Sequence, residues 1–96
     1  MIKHIVCFML KDTSEQGCRK AAAVLESMRG KVPQIIDMQV GVDFLHSVRS
    51  CDVVLEVTVK DVAALEAYQN DEYHCTVVKP YMHQARTGSV SADYEF

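Results

Sequence analysis

Four histidines are the side chains of this chain best suited to moving protons, because an unperturbed imidazole titrates at about pH 6.5. They lie at positions 4, 46, 74 and 83. His4 opens an apolar segment, and His74 comes soon after Tyr68, which places two polar rings near one predicted helix junction. His46 falls in a predicted loop and His83 in the last predicted helical turns, where surface or packing roles are expected.

The other reactive groups are scattered along the chain. The four cysteines, at positions 7, 18, 51 and 75, contain no C-x-x-C pair, and no two histidines have the spacing H-x-x-x-H. The sequence therefore predicts free, mostly buried thiols and no bound metal. The four glycines never cluster into a phosphate-cradling loop, so neither a nucleotide nor another cofactor is expected.

Charge and hydropathy argue against two kinds of partner. Ten basic and thirteen acidic side chains give a formal charge of −3, and no stretch concentrates Lys and Arg, so nucleic acid is not expected. The longest apolar run, residues 5–10, is far shorter than the roughly 20 residues that span a bilayer. Lys3 and His4 precede this run without a secretory cleavage pattern. The expectation is a cytoplasmic protein.

Strands and helices are predicted in the order β-α-β-β-α-β. The period-two pattern predicts strands at about 2–10, 36–42, 52–59 and 89–96. In the first strand, His4 shares a face with Val6 and Phe8, while the odd-numbered residues form a second apolar face. A strand that is apolar on both faces is expected at the centre of a sheet.

Helix signals lie between these strands. A capping box at 13–16 precedes the first helical pattern. Asp61 is expected to cap a short helix over 62–69, whose inward stripe includes Val62. A third helical segment follows and restarts at Pro80, because proline is tolerated in a first turn.

This order of elements predicts an α+β, ferredoxin-like domain with a four-stranded antiparallel sheet and helices on one face. The other face of the sheet is left open, with Ile5, Cys7 and Met9 at its centre. Its polar surround consists of Asp37, Gln39, Glu56 and Thr58. An apolar centre with a polar rim is typical of a subunit interface, so we expect a symmetric homodimer with two sheets packed face to face.

Several short motifs occur in a family-like order along nearly the whole chain. They are Lys3-His4, Pro33-Gln34-Ile35, Gly41, Tyr68, His74, Lys79-Pro80-Tyr81 and Asp93-Tyr94-Glu95. In this order the chain resembles the stress-responsive A/B barrel (Dabb) family of the dimeric α+β barrel superfamily. The resemblance implies a single domain over 1–96 that forms a dimeric α/β barrel. Where the family has His-Pro-x-His, this chain has Asp71-Glu72-Tyr73-His74 and retains only the last histidine.

The resemblance also implies a site. One plant branch of the family is similar to polyketide cyclases, which use histidines and a tyrosine in an internal pocket; the matching positions are His4, Tyr68 and His74. By this resemblance His74 is the general base, Tyr68 orients it or the substrate carbonyl, and His4 assists from the sheet. A further histidine of that branch falls at Val53 here.

Whether the chain is an enzyme stays open at this point. The first hypothesis is a cyclase-like lyase that binds a small apolar carbonyl compound between sheet and helices and moves a proton. The second is a noncatalytic dimer that binds a small ligand or serves in a stress response, with histidines that only satisfy local hydrogen bonds. A cofactor-free monooxygenase of similar architecture is a further alternative. Loss of turnover in His74→Ala, with the fold retained, would favour the first.

Overall fold

The computed structural model describes residues 1–96 and has eight segments of regular structure. In chain order they are β1 Ile2–Leu10, α1 Glu15–Glu26, β2 Asp37–Val42, β3 Val53–Val59, α2 Val62–Gln69, a π-helical segment His74–Val78, α3 Lys79–Ala85 and β4 Arg86–Glu95. All paired strands are antiparallel and form one sheet in the order β2-β3-β1-β4. The predicted α+β ferredoxin-like fold is confirmed.

β1 lies at the centre of the sheet, between β3 and β4. Its register places His4 opposite Val57 on one side and opposite Asp93 on the other. Residues directly opposite each other in an antiparallel ladder point to the same face. The even-numbered side chains of β1 therefore share the helix-covered face with alternate residues of β4, among them Asp93.

The core fills the space between this face and the helices. The apolar stripe of β3 is buried throughout, as period two predicts: Val53, Leu55, Val57 and Val59. Across from it, α1 contributes Cys18, Ala21 and Leu25, with Met28 just beyond its end. These residues pack the sheet against the helices and fix the positions of the elements that carry the site.

Caps fix where the helices begin. The Ser14 hydroxyl accepts a hydrogen bond from the Gly17 amide at 3.1 Å, so Ser14 is the N-cap of α1. The predicted capping box began one residue earlier, at residue 13. Asp61 caps α2 as predicted, accepting from the Ala64 amide at 2.8 Å. None of the helices is long and apolar enough to cross a membrane.

The prediction that Val62 faces the core is wrong, because its side chain is 65% exposed. α2 packs against the core through Ala64, Leu65 and Tyr68. An α-helix turns by about 100° per residue, so Val62 lies about 160° from Ala64 and about 120° from Tyr68, at the exposed margin beyond Leu65.

The third helical segment runs through Pro80 without a break. A π-helical turn, His74–Val78, leads directly into α3, and the Lys79 amide donates to the His74 carbonyl. Pro80 falls in the first turn of α3, where its missing N–H costs least. Single π turns inside helices are frequent at functional sites, and this one begins at a histidine.

The second face of the sheet carries no helix. As predicted from period two, Ile5, Cys7 and Met9 lie on this face and are half-buried. β4 adds an apolar strip that includes Val90, 62% exposed, and Tyr94, 49% exposed. A large apolar face of this kind on a small domain is suited to packing against another protein surface.

Candidate active site

One cavity of about 290 Å³ brings His4, Tyr68 and His74 together. It lies between the helix-covered face of the sheet and the helices, and its size is near the lower end for a small-molecule site. Its apolar lining consists of Val6, Phe8, Leu25, Leu55, Val78 and Met82. Its other polar lining residues are Gln69, Lys79, His83, Arg86, Ser89 and Ser91. The three residues proposed from the sequence therefore line a common space.

The Tyr68 ring packs against both histidines. Its centroid lies 5.6 Å from that of His4 and 4.5 Å from that of His74. The ring is fully buried, and its hydroxyl lies 3.9 Å from the Met28 sulfur, in the core. Burial, and then the negative charge of Asp71, raises the pKa of the Tyr68 hydroxyl. Tyr68 thus contributes its ring and its main-chain carbonyl to the site, while its hydroxyl stays protonated.

His74 is held with one nitrogen free. Its Nδ1 lies 3.0 Å from the main-chain oxygen of Tyr68. Because a carbonyl only accepts, Nδ1 carries the hydrogen and Nε2 of the neutral ring carries the lone pair. Nε2 of His74 makes no hydrogen bond within the protein. It is not fully buried either, because Gln34 Oε1 is the one fully buried side-chain nitrogen or oxygen without a partner. Since His74 lines the cavity, its Nε2 is reachable from there.

The surroundings of His74 favour its neutral, basic form. Burial lowers the pKa of His74 below its ordinary value, and the positive charges of Lys79 and His4 lower it further. The hydrogen bond to the Tyr68 carbonyl and the charge of Asp71 act in the opposite direction. The net effect is a lowered pKa, so His74 is an unprotonated base at neutral pH.

Local contacts fix the main chain of His74. The Asp71 carboxylate accepts a hydrogen bond from the His74 amide at 3.2 Å, and the Tyr73 hydroxyl is 2.7 Å from that of Ser27 at the end of α1. The Cys75 thiol donates to the Gln69 carbonyl. Asp71 thus caps the start of this helical segment, and the imidazole is attached to a main chain that is held at several points.

Asp93 holds His4, and sequence reasoning did not include it among the site residues. Its Oδ1 lies 2.5 Å from Nδ1 of His4, and the side chains are 41% and 8% exposed, respectively. The carboxylate accepts the Nδ1 hydrogen, so Nε2 of His4 remains for the cavity, where it makes no internal bond. The sequence signal was the alternation of Ser89, Ser91 and Asp93 along the last strand, which marks one face of that strand as polar.

The remaining reactive residues have other surroundings. Val53, where the cyclase branch has a histidine, is fully buried in the core. His46 is exposed in a loop, 3.6 Å from Asp43, whereas His83 lies at the cavity. All four cysteines are free; Cys18 is buried, but the other three are half-buried, fewer buried than predicted. No three His, Cys, Asp or Glu side chains are placed to hold a metal ion.

These features define a ferredoxin-like α+β domain with a histidine-lined cavity between sheet and helices. The sequence model of the Stress responsive A/B Barrel Domain matches residues 2–96, so the chain belongs to this family, and the resemblance seen in its motifs is confirmed. Among curated proteins, none matches the sequence.

Solved structures share the fold. A dimeric ferredoxin-like protein of unknown function from Thermobifida fusca YX has a TM-score of 0.83 at 17% identity, over 99% of this chain and 90% of that one. A hydroxynitrile lyase from Passiflora edulis has a TM-score of 0.77 at 18% identity, over 97% and 90%. An antibiotic biosynthesis monooxygenase has a TM-score of 0.72 at 16% identity, over 100% and 98%. At these identities the likeness shows the fold alone.

Proposed function

We propose that this protein is a small proton-transfer enzyme, of the cyclase or lyase type, that acts on an apolar carbonyl compound. One observation carries the proposal: His4 and His74 each have Nδ1 occupied by a fixed acceptor and Nε2 open to the same cavity. Two imidazoles held in this way can act on two atoms of one bound molecule. The lyase among the solved structures of the same fold is consistent with this chemistry.

His74 acts as the base. Its neutral Nε2 removes a proton from the carbon next to the substrate carbonyl; the C–H bond breaks, and its electron pair moves to the carbonyl oxygen as an enolate. His4 acts on that oxygen. Nε2 of His4 faces that oxygen across the cavity and, when it carries a hydrogen, donates it to the developing negative charge, while the Asp93 carboxylate stays on Nδ1. Return of the proton from His74 to carbon completes an exchange. Alternatively, the enolate carbon attacks a second carbonyl: a C–C bond forms, the C=O π bond breaks, and the resulting alkoxide takes the proton from His74.

The apolar walls support this chemistry by keeping water from one side of the histidines, while the exposed Ser89 and Ser91 leave the other side open. Phe8, Leu55 and Met82 line the cavity beside the histidines. Electrostatic interactions are stronger where water is excluded, so a hydrogen bond from His4 stabilises an enolate more than it would in solution. The walls also provide the binding surface for an apolar substrate.

The protein is proposed to work as a homodimer of single domains that span 1–96. The open sheet face supplies an apolar surface, and the solved relative from Thermobifida fusca is described as dimeric. Packing this face on the same face of a second copy buries Val90 and Tyr94 of both subunits. The histidine cavity lies on the opposite face of the sheet, so dimerisation and substrate binding use different surfaces.

The test is the exchange of carbon-bound hydrogen in heavy water. Phenylacetone, a small apolar ketone, is incubated with the protein, and loss of the signal from the hydrogens beside its carbonyl is followed by proton NMR. The wild type is expected to accelerate exchange over buffer, and His74→Gln to lower the rate about a hundredfold. His46→Gln, which changes the loop histidine, is the matched control and keeps the wild-type rate.

A noncatalytic ligand-binding dimer is the second candidate, and one observation favours it. The Tyr68 hydroxyl, which a cyclase would use to orient the base or the substrate carbonyl, contacts Met28 in the core instead. This alternative expects phenylacetone to bind without exchange, and His74→Gln to change stability more than any rate. Exchange at the buffer rate in the wild type would replace the enzyme proposal with this one.

A further inference from the structure

The cavity has a charge opposite to that of the whole chain. The chain carries a formal charge of −3, yet no Asp or Glu is among the residues that line the cavity. Lys79 and Arg86 supply two positive charges there, and His83 lies beside them. A cleft lined by one sign of charge concentrates ligands of the opposite sign. An uncharged ketone would make no use of this feature.

A β-bulge directs Arg86 to the cavity. β4 pairs Ser89 with Phe8 and Gly88 with Met9, but then Arg86 with Leu10, so the register shifts by one residue. Without this shift, period two would place Arg86 on the opposite face from Ser89. With it, Arg86 shares the helix-covered face. Bulges commonly re-aim a side chain beside a functional site.

The Arg86 guanidinium has no partner within the protein. It is half-buried, and it forms neither an ion pair nor a hydrogen bond with another residue, whereas Lys79 donates to the Gln69 carbonyl at 2.7 Å. The hydroxyls of Ser89 and Ser91 also make no internal hydrogen bond, and both residues line the same cavity. The planar guanidinium fork suits a carboxylate, and the two hydroxyls lie on the same face of β4 as Arg86.

We propose that the substrate of the site described above is a small apolar keto acid whose carboxylate binds Arg86, with Ser89 and Ser91 as further donors. This inference rests on the proposed proton transfer for the identity of the reacting carbonyl. The carboxylate lies at the β4 side of the cavity, and the carbonyl lies toward His4 and His74. A cavity of about 290 Å³ is near the lower end for small-molecule sites, so it suits a compact keto acid.

Two matched probes test the inference. Phenylpyruvate carries a carboxylate beside its ketone, and phenylacetone has a methyl group in its place. The wild type is expected to bind phenylpyruvate at least about tenfold more tightly, as measured by calorimetry, because hydrogen bonds to charged groups are strong. Arg86→Gln should remove this preference, while Arg49→Gln, in an exposed loop, should retain it.

A measurement on the wild type alone guards against misfolding of the variant. Raising the salt concentration screens charge, so the affinity for phenylpyruvate should fall with added potassium chloride while that for phenylacetone stays constant. Equal affinities for the two probes, or a preference that survives in folded Arg86→Gln, would overturn the inference.

The same probes separate this inference from the proposed function. If the protein exchanges the hydrogens of phenylacetone but shows no preference for phenylpyruvate, proton transfer stands and the carboxylate site is refuted. If phenylpyruvate binds in an Arg86-dependent way and neither probe exchanges faster than in buffer, the carboxylate site stands and the catalytic role of His74 is refuted.

Discussion

Replacing Asp93 by Asn tests whether the carboxylate positions His4. The substitution keeps the size of the side chain but removes the charge opposite Nδ1, at the 2.5 Å contact. Hydrogen bonds to charged groups contribute about 1.5–3 kcal/mol and neutral ones about 0.5–1.5 kcal/mol. The expected loss of stability is the difference between these two contributions. Because Asp93 is 41% exposed, solvent screens its charge, and the loss should be about 1 kcal/mol.

Urea unfolding measures this loss. For a small domain the free energy of unfolding falls by about 2 kcal/mol per molar urea, so Asp93→Asn should shift the midpoint by about 0.5 M. Glu95→Gln is the control, because Glu95 lies two residues along the same strand, is exposed and makes no side-chain bond. The double variant with His4→Gln should show a coupling energy of about 1 kcal/mol between the two positions.

Catalysis should respond in a way that stability alone would not produce. With His4 less well held, the exchange rate at saturating phenylacetone should fall about five- to tenfold with little change in KM, because the carbonyl oxygen is affected mainly in the transition state. NMR of the imidazole nitrogens should show that Nδ1 of His4 is no longer uniformly protonated. An unchanged urea midpoint together with an unchanged tautomer in Asp93→Asn would refute the positioning role.

Three further predictions concern the base, the tyrosine and the open face. Burial lowers the pKa of His74, so the stability that the neutral ring contributes is present above about pH 6.5 and is lost as the pH falls further. When the pH is lowered from 7, the free energy of unfolding measured in urea should therefore fall less for His74→Gln than for the wild type, and an equal fall in both would contradict the lowered pKa. Tyr68→Phe removes only the contact with Met28, so it should change stability by less than about 1 kcal/mol and the exchange rate by less than about twofold; a large loss of rate would show that the hydroxyl takes part. Val90→Asp should weaken the proposed dimer at least about a hundredfold in sedimentation, while Val62→Asp, at the exposed start of α2, leaves it intact; a Val90→Asp dimer of wild-type strength would place the interface elsewhere.

Local patterns predicted most of the fold. Period two identified β1 and β3 and assigned their residues to the correct faces of the sheet. Successive side chains of any strand alternate between the two faces, so this assignment needs no knowledge of the neighbouring strands. The Asp61 cap was likewise readable from adjacent residues. Val62 was misplaced because α2 has only eight residues, too few to distinguish an inward stripe from a neighbouring one.

The parts of the site that sequence reasoning missed depend on long-range register. Asp93 meets His4 across 89 positions, and nothing within β1 or β4 alone fixes that pairing. Arg86 reaches the cavity only because of a bulge, which a strict period of two does not contain. The place of His4, Tyr68 and His74 in one cavity was anticipated from a family resemblance, since their spacing along the chain does not bring them together.

A crystal structure of the protein with phenylpyruvate would show the base, the carbonyl and the carboxylate site together. The ligand is expected in the cavity, with the carbon beside the ketone about 3–3.5 Å from Nε2 of His74 and the carboxylate on Arg86. The ketone oxygen should face His4. A ligand bound in another cleft, such as the one lined by Lys11 and Tyr81, or one with its ketone turned away from both histidines, would contradict the proposed site.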